Sequence, residues 1–455
     1  MNRAFLAAVA LASVYLVSCG SYSTKSYKPP SGATERLLVS QSVTSGFTFP
    51  GLVIINGFND TLTRSFPISG GSSPSIMAVS PSRATVIAYD TDGHTIQVID
   101  SRTEQNTGAI PVPGGNAQTP GTATSMVIPV ATGVGYAADP VAGNLLWPTP
   151  GAVLALNLTQ HGISTQIGVP AAQTLVSNAA GTQLLVFSND SDSISVLSPN
   201  LAVSPIDQGC NAPPNPPQPP VCTVLLPAYP GARPVGALIS GTTAYILNCG
   251  VECGGLPAPG SALPASVQTL DLTTLTLSNP LPVDGATAAF LTSTTLYVTG
   301  TSPTNNACTG QTTAAKTCGR LDLIDLGSMT VTSSVVITDG YHDHMDIGLG
   351  GQLFIGSHDC TEIGNVNNPS GEVRGCLTIF DTTKAGNTSV IVPPDNGDVT
   401  GLQGFTTFFK EYVVEGGNLK IYDTHTDKLL INNILTAGTI SIPGKLIDVK
   451  AIDFF

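Results

Sequence analysis

Residues 73–114 read SPSIMAVSPS, RATVIAYDTDG, HTIQVIDSRTE and QNTGAIPVPG in succession. Each segment is a short run of Val, Ile, Ala and Thr closed by Gly, Pro, Asp or Ser. That is the pattern of four antiparallel strands joined by tight turns. A four-stranded sheet of this composition has two apolar faces and buries neither alone. It needs copies of itself on both sides, and the chain supplies them.

Measured against this unit, a first, inner strand recurs eight times. The runs are PSIMAVS (74–80), ATSMVIPV (123–130), QTLVSNA (173–179), PVGALIS (234–240), TAAFLTS (287–293), HDHMDIGL (342–349), TGLQGFTTF (400–408) and LIDVKAIDF (446–454). Each of the first seven is followed within a few residues by a second strand: TVIAYD, GYAADP, QLLVFS, AYILN, TLYVTG, QLFIGS and EYVVEG. The last has no successor because the chain stops at Phe455. At the other end, RLLVSQS (36–42), GLVIING and TLTRSFPI lack an inner strand. The sequence therefore predicts an all-β propeller of four-stranded antiparallel blades, occupying residues 36–455, with the C-terminal strand completing the N-terminal blade. The count is eight blades, with seven as the alternative.

Third strands repeatedly end in an acid followed by Ser, Thr or Gly, as in VIDSRT, TLDLTT, LIDLGS, IFDTT and IYDTHT. An Asp at the first position of a turn accepts a hydrogen bond from the backbone two residues on. Asp100, Asp271, Asp325, Asp381 and Asp423 are accordingly read as turn residues and not as catalysts.

The segment Pro74–Thr103, with Ala78-Val79-Ser80-Pro81, Ala88-Tyr89-Asp90 and Val98-Ile99-Asp100, resembles the YVTN family of β-propeller repeats. The likeness returns at Ile421-Tyr422-Asp423 and covers about a quarter of the chain. Asp90 stands where that family usually has Asn. The resemblance implies a propeller, often on cell envelopes or secreted and commonly seven-bladed. It brings no catalytic residues with it.

Composition agrees with an exported ring. Of 455 residues, only 10% are charged, with 17 Lys and Arg against 30 Asp and Glu. A net charge of −13 without a basic cluster argues against nucleic acid as a partner. Met1–Ser18 carries Arg3 and then an apolar run from Ala4 to Val17, too short to span a bilayer. It ends in Leu16-Val17-Ser18-Cys19 and looks like a bacterial lipoprotein signal with its lipobox. That likeness implies removal of residues 1–18 and lipidation of Cys19; Gly20 is compatible with outer-membrane sorting. An ordinary secretory signal is the alternative. Residues 19–35 then read as the lipidated Cys and a polar tether with a reach on the order of 20 Å. The expected address is the bacterial cell envelope, with the membrane met through the lipid and the ring itself a monomer.

Beyond Cys19, eight cysteines fall in four neighbouring pairs, each flanking one polar insert. In an exported chain this predicts the disulfides Cys210–Cys222, Cys249–Cys253, Cys308–Cys318 and Cys360–Cys376. Three of these inserts follow second strands and gather on one face of the ring, in blades five to seven. Asp284, Asp339, Asp395 and Asp398 lie at junctions that reach the same face.

The most unusual stretch, Asp339-Gly-Tyr-His-Asp-His-Met-Asp346, opens there too. On a regular strand His342, His344 and Asp346 share one side, while Asp343 and Met345 take the other. With His358 as a fourth group, they could hold Zn, Cu or Fe. Polar filling of the channel mouth is the competing reading. The acids at the mouth suggest Ca²⁺ and a lactonase-like hydrolase as a further alternative. No Gly-x-Ser-x-Gly elbow or Gly-rich phosphate loop is present. The reading favoured is a binding or scaffolding module rather than an enzyme, engaging a protein or small molecule through its loop face.

Overall fold

The computed structural model describes residues 28–42, 51–63, 67–115, 119–130, 133–143, 150–197, 224–301, 319–360, 376–384, 390–393, 397–405, 407–431 and 445–453. These form eight antiparallel sheets. The unit read first becomes blade 2, with strands Pro74–Val79, Thr85–Asp90, Thr95–Asp100 and Gln105–Pro111 in spatial order. Inner strands of blades 3 to 8 are Ser125–Val127, Ala172–Ser177, Pro234–Ser240, Ala288–Leu291, Tyr341–Ile347 and Val399–Gly404. All eight expected inner strands are present, most of them shorter than read and two of them, Ser125–Val127 and Ala288–Leu291, cut to three and four residues. Blade 5 has one irregularity: Leu281–Val283 pairs with its third strand beyond the short Thr276–Leu277. The only helical turn among the described residues is a 3-10 turn, Gly250–Cys253.

Blade 1 is built from both chain ends. Its inner strand is Lys445–Ala451 and its second is Arg36–Ser42, paired Leu37 to Ala451, Val39 to Val449 and Ser42 to Lys445. Side-chain alternation then binds the ring together. Leu37 and Val39 pack on Phe405, Tyr412 and Val414 of blade 8. Leu38, between them, packs on the opposite side with Met77, Val86 and Ala88 of blade 2. The same arrangement repeats around the circle, giving an apolar cluster at each of the eight blade interfaces. Second and third strands are buried on both sides, so they read as unbroken apolar runs. Inner strands carry more polar residues because one side faces the axis.

A polar latch reinforces the seam. The Arg36 guanidinium, almost wholly buried, donates to Asp453 at 2.7 Å, to Glu104 of blade 2 at 2.8 Å and to the Ser101 carbonyl at 2.6 Å. Its backbone N–H donates to Asp453 at 2.8 Å. Glu104 also accepts from the Ser31 hydroxyl and N–H.

The five turn acids behave as read. Asp100 Oδ1 accepts from the Arg102 N–H at 2.8 Å and Asp271 Oδ1 from Thr273 at 2.7 Å. Asp381 and Asp423 take Thr383 and His425 in the same way, and Asp325 takes Ser328, three residues on. Asn56 and Asn157 fill this position in blades 1 and 3. All these turns lie on the face opposite the inserts.

Candidate functional site

The loop face of blade 7 is assembled by local devices. Gly340 adopts φ +95°, and a side chain there would collide with the His358 carbonyl and Cys360. Only glycine lets the incoming chain lie that close. Tyr341–Ile347 then pairs with Gln352–His358, Tyr341 opposite His358 and His342 opposite Ser357. The next pair is His344 opposite Gly356, so Asp343 is an extra residue, a β-bulge. Beyond His358, Cys360 and Cys376 form a disulfide with Cα atoms 5.5 Å apart. The Ser357 hydroxyl lies 2.9 Å from the Asp339 carbonyl and 3.1 Å from that of Cys376. The end of the second strand is thus clamped to the junction before the inner strand.

The bulge redistributes the expected metal ligands. His342 turns away from His344. It is fully buried towards blade 6, with Nε2 3.0 Å from the Thr338 carbonyl and Nδ1 without a partner among the described residues. Burial pushes its imidazole down to about 4, so it stays neutral. Asp346 shares a face with His344 but lies two residues along. Its Oδ2 accepts from the Gly404 N–H at 2.7 Å and its Oδ1 from Ile347 at 2.8 Å. Asp343, assigned by alternation to the other side, instead sits between two imidazoles. Its Oδ1 is 2.5 Å from His344 Nδ1 and its Oδ2 is 2.6 Å from His358 Nε2. The expected set His342, His344, Asp346 and His358 is therefore brought together only as His344 and His358, with Asp343 added. Against the cost of burial, these two hydrogen bonds hold the Asp343 carboxyl below its ordinary range. The bond to Asp343 raises His358.

Beside this group a cavity of about 460 Å³ opens among blades 4, 5 and 7. Gln173, Phe187, Asn189, Arg233, Glu252 and Tyr341 line it. Arg233 is steered by Asp192, 3.6 Å away, and donates to the Asp190 carbonyl. Glu252 rides on the 3-10 turn closed by the Cys249–Cys253 disulfide, whose Cα atoms are 5.6 Å apart. Its Oε2 accepts from the Thr301 N–H of blade 6 at 2.7 Å. Burial nonetheless pushes its carboxyl up to about 8, so at neutral pH it carries a proton and can donate. Tyr341 is pushed up to about 12, first by burial and then by Glu252 and Asp343. None of Arg233, Glu252 and Tyr341 stood out in the sequence. The one usable signal was a lone acid between two close cysteines.

The other predicted site residues are placed as follows. Cys19, Cys210, Cys222, Cys308, Cys318 and Asp395 lie outside the described residues. Of the mouth acids, Asp398 accepts from the Asp359 N–H at 2.9 Å, and Asp284 takes the Ser334 hydroxyl at 2.7 Å. Asp339 offers its carbonyl to Ser357. These contacts tie loops together on separate blades.

No protein-family model matches the chain, and no curated protein matches it. Solved structures do. A dihydro-heme d1 dehydrogenase NirN, in complex with DHE, superposes with a TM-score of 0.57 at 11% identity, covering 92% of this chain and 76% of that one. The Dos1 propeller gives 0.55 at 10% identity, over 79% and 83%. The chain is a β-propeller. At these identities the likeness is one of fold, and fold carries no activity with it.

Proposed function

We propose that this propeller is a lipid-anchored binding module of the bacterial envelope, taking a small, neutral, hydrogen-bonding molecule at its loop-face mouth. The observation that carries the reading is the 460 Å³ cavity on that face. Its size falls within the ~300–1,000 Å³ usual for small-molecule sites, and its walls mix polar groups with aromatic ones. Arg233 is already balanced by Asp192, and Glu252 is protonated at neutral pH. With Asp190 also in the lining, the pocket offers donors and acceptors with little net charge. Tyr341 adds a ring against which a flat or saccharide face can lie. Two disulfide-closed inserts hold its neighbourhood rigid, which lowers the ordering cost of binding. Thermal-shift screening of neutral saccharides and other uncharged polyols is the direct test. A compound that raises the melting temperature of the parent, and not of Tyr341→Ala or Arg233→Ala, supports the reading. No shift across the panel would remove it.

Anchoring rests on the Leu16-Val17-Ser18-Cys19 pattern and on the YVTN-like segment at Pro74–Thr103. Several acyl chains on Cys19 would hold the ring at a membrane through the segment 20–35. In a bacterial host, Cys19→Ala is expected to abolish incorporation of an alkyne-tagged fatty acid and to move the protein out of the membrane fraction. Unchanged labelling in that variant would refute lipidation at Cys19.

A further inference from the structure

The Asp343 carboxylate binds two imidazoles at once, on two ring nitrogens that must each carry a hydrogen for these bonds to form. The two rings stand 5.9 Å apart, edge to face. One donor atom from each of the three residues lies within 4.8 Å of the others. Around a tetrahedral ion with bonds of about 2.0–2.2 Å, ligand atoms are about 3.4 Å apart. Small side-chain rotations bring this trio to that spacing, with the ion replacing the two N–H hydrogens.

Two further features favour an ion. First, two nitrogens and one carboxylate oxygen form the donor set of zinc-class divalent ions, not the all-oxygen set of Ca²⁺ or Mg²⁺. Second, the backbone is fixed at both sides, by Gly340 and the Asp343 bulge on one strand and by the Cys360–Cys376 disulfide after the other. The three side chains are each between a quarter and a third exposed, so the outer side of the trio opens to solvent.

We propose that Asp343, His344 and His358 bind one divalent transition-metal ion of the zinc class through a carboxylate oxygen, Nδ1 and Nε2 respectively. At least one coordination position is left for water or for a donor atom of a ligand at the mouth. The assignment uses neither Arg233 nor Glu252 and stands or falls apart from the ligand reading above.

The test is equilibrium dialysis of the full chain, purified without an affinity tag, against Zn²⁺, with the visible spectrum of the Co²⁺-loaded protein as a second readout. One equivalent of Zn²⁺ is expected. His344→Ala and His358→Ala should each weaken it about tenfold or more, and the double variant should lose it. Asp343→Asn should alter the Co²⁺ bands. His425→Ala, in another blade, serves as the control and should bind as the parent does. Melting of each metal-free variant at the parent's temperature shows that the ring is intact. If the double variant misfolds, the Co²⁺ spectrum of Asp343→Asn decides. No stoichiometric Zn²⁺ in the parent, undiminished binding in the folded double variant, or unchanged Co²⁺ bands in Asp343→Asn would overturn the proposal.

Discussion

A chain ending at residue 444 is expected not to yield a cooperatively folded ring. It lacks Lys445–Ala451, so blade 1 loses its inner strand and Arg36–Ser42 becomes an open edge. Leu446 and Val449 also vanish from the cluster shared with blade 8. An exposed edge with apolar sides is an invitation to aggregate. Gel filtration should show oligomers or precipitate in place of a monomer, and urea melting should lose its single transition. A point variant tests the latch more gently. Arg36→Ala leaves the buried Glu104 carboxylate without its counter-charge, held only by Ser31, and frees Asp453, at a cost of about 3–5 kcal/mol. A truncated chain that melts like the parent would show that closure is not what holds the ring.

The second large effect is on pH dependence, which is expected to run opposite to ordinary acid denaturation above pH 5. Four acids are pushed up strongly. Glu411 is fully buried, neither of its oxygens has a partner among the described residues, and Asp346 adds repulsion. Glu252 reaches about 8, and Asp139 and Asp322 about 6, each chiefly through burial. In the unfolded chain these groups ionise near pH 4. The folded state therefore holds more protons than the unfolded state from there upward, so stability falls as pH rises. Their contribution is complete below the unfolded values and is lost through the folded ones, up to about pH 8 for Glu252. Below pH 4 the opposite set takes over, because Asp343 and Asp381 sit lower when folded; His342, held neutral down to about 4, works against the fall between about pH 4 and 6.5. Maximal stability is thus expected between about pH 4 and 5. Replacing the unpartnered acid with an isosteric apolar group, Glu411→Leu, should stabilise by about 1–3 kcal/mol at pH 8 and by less at pH 5. Glu252→Gln should flatten the decline towards pH 8 by roughly 2–3 kcal/mol, less than its full displacement implies because the side chain keeps some water contact. Urea melts of parent and variants at the two pH values measure this. A parent more stable at pH 8 than at pH 5 would contradict it.

Much of the fold was legible because strands write it in a period of two. Leu37, Leu38 and Val39 form one run with two destinations, blade 8 and blade 2, and the orphan strands at the two ends announced their own pairing. The turn acids were legible because their bonding is local. The site was less so, for the same reason in reverse. Strict alternation put His342, His344 and Asp346 together, and a single extra residue at Asp343 undid it. Spacing does not encode a bulge; the close passage of Gly340 against His358 and the clamp through Ser357 do, and both depend on residues across the sheet. The Arg36–Asp453 latch joins residues 417 apart, beyond any local signal. Glu252 acquires its character from burial beside blade 6, whose Thr301 N–H donates to it.

The seam in blade 1 also sets a timetable. The chain is synthesised from its N-terminus, so Arg36–Ser42 is among the first strands made and its partner, Lys445–Ala451, is the last. Seven blades can form in order as they emerge, each against the one before. The first cannot be finished until residues 445–451 have emerged. Through that whole interval its edge stays open, a standing substrate for chaperones and for any other strand in reach. The Arg36 side chain waits as well, since one of its two carboxylates arrives only with Asp453.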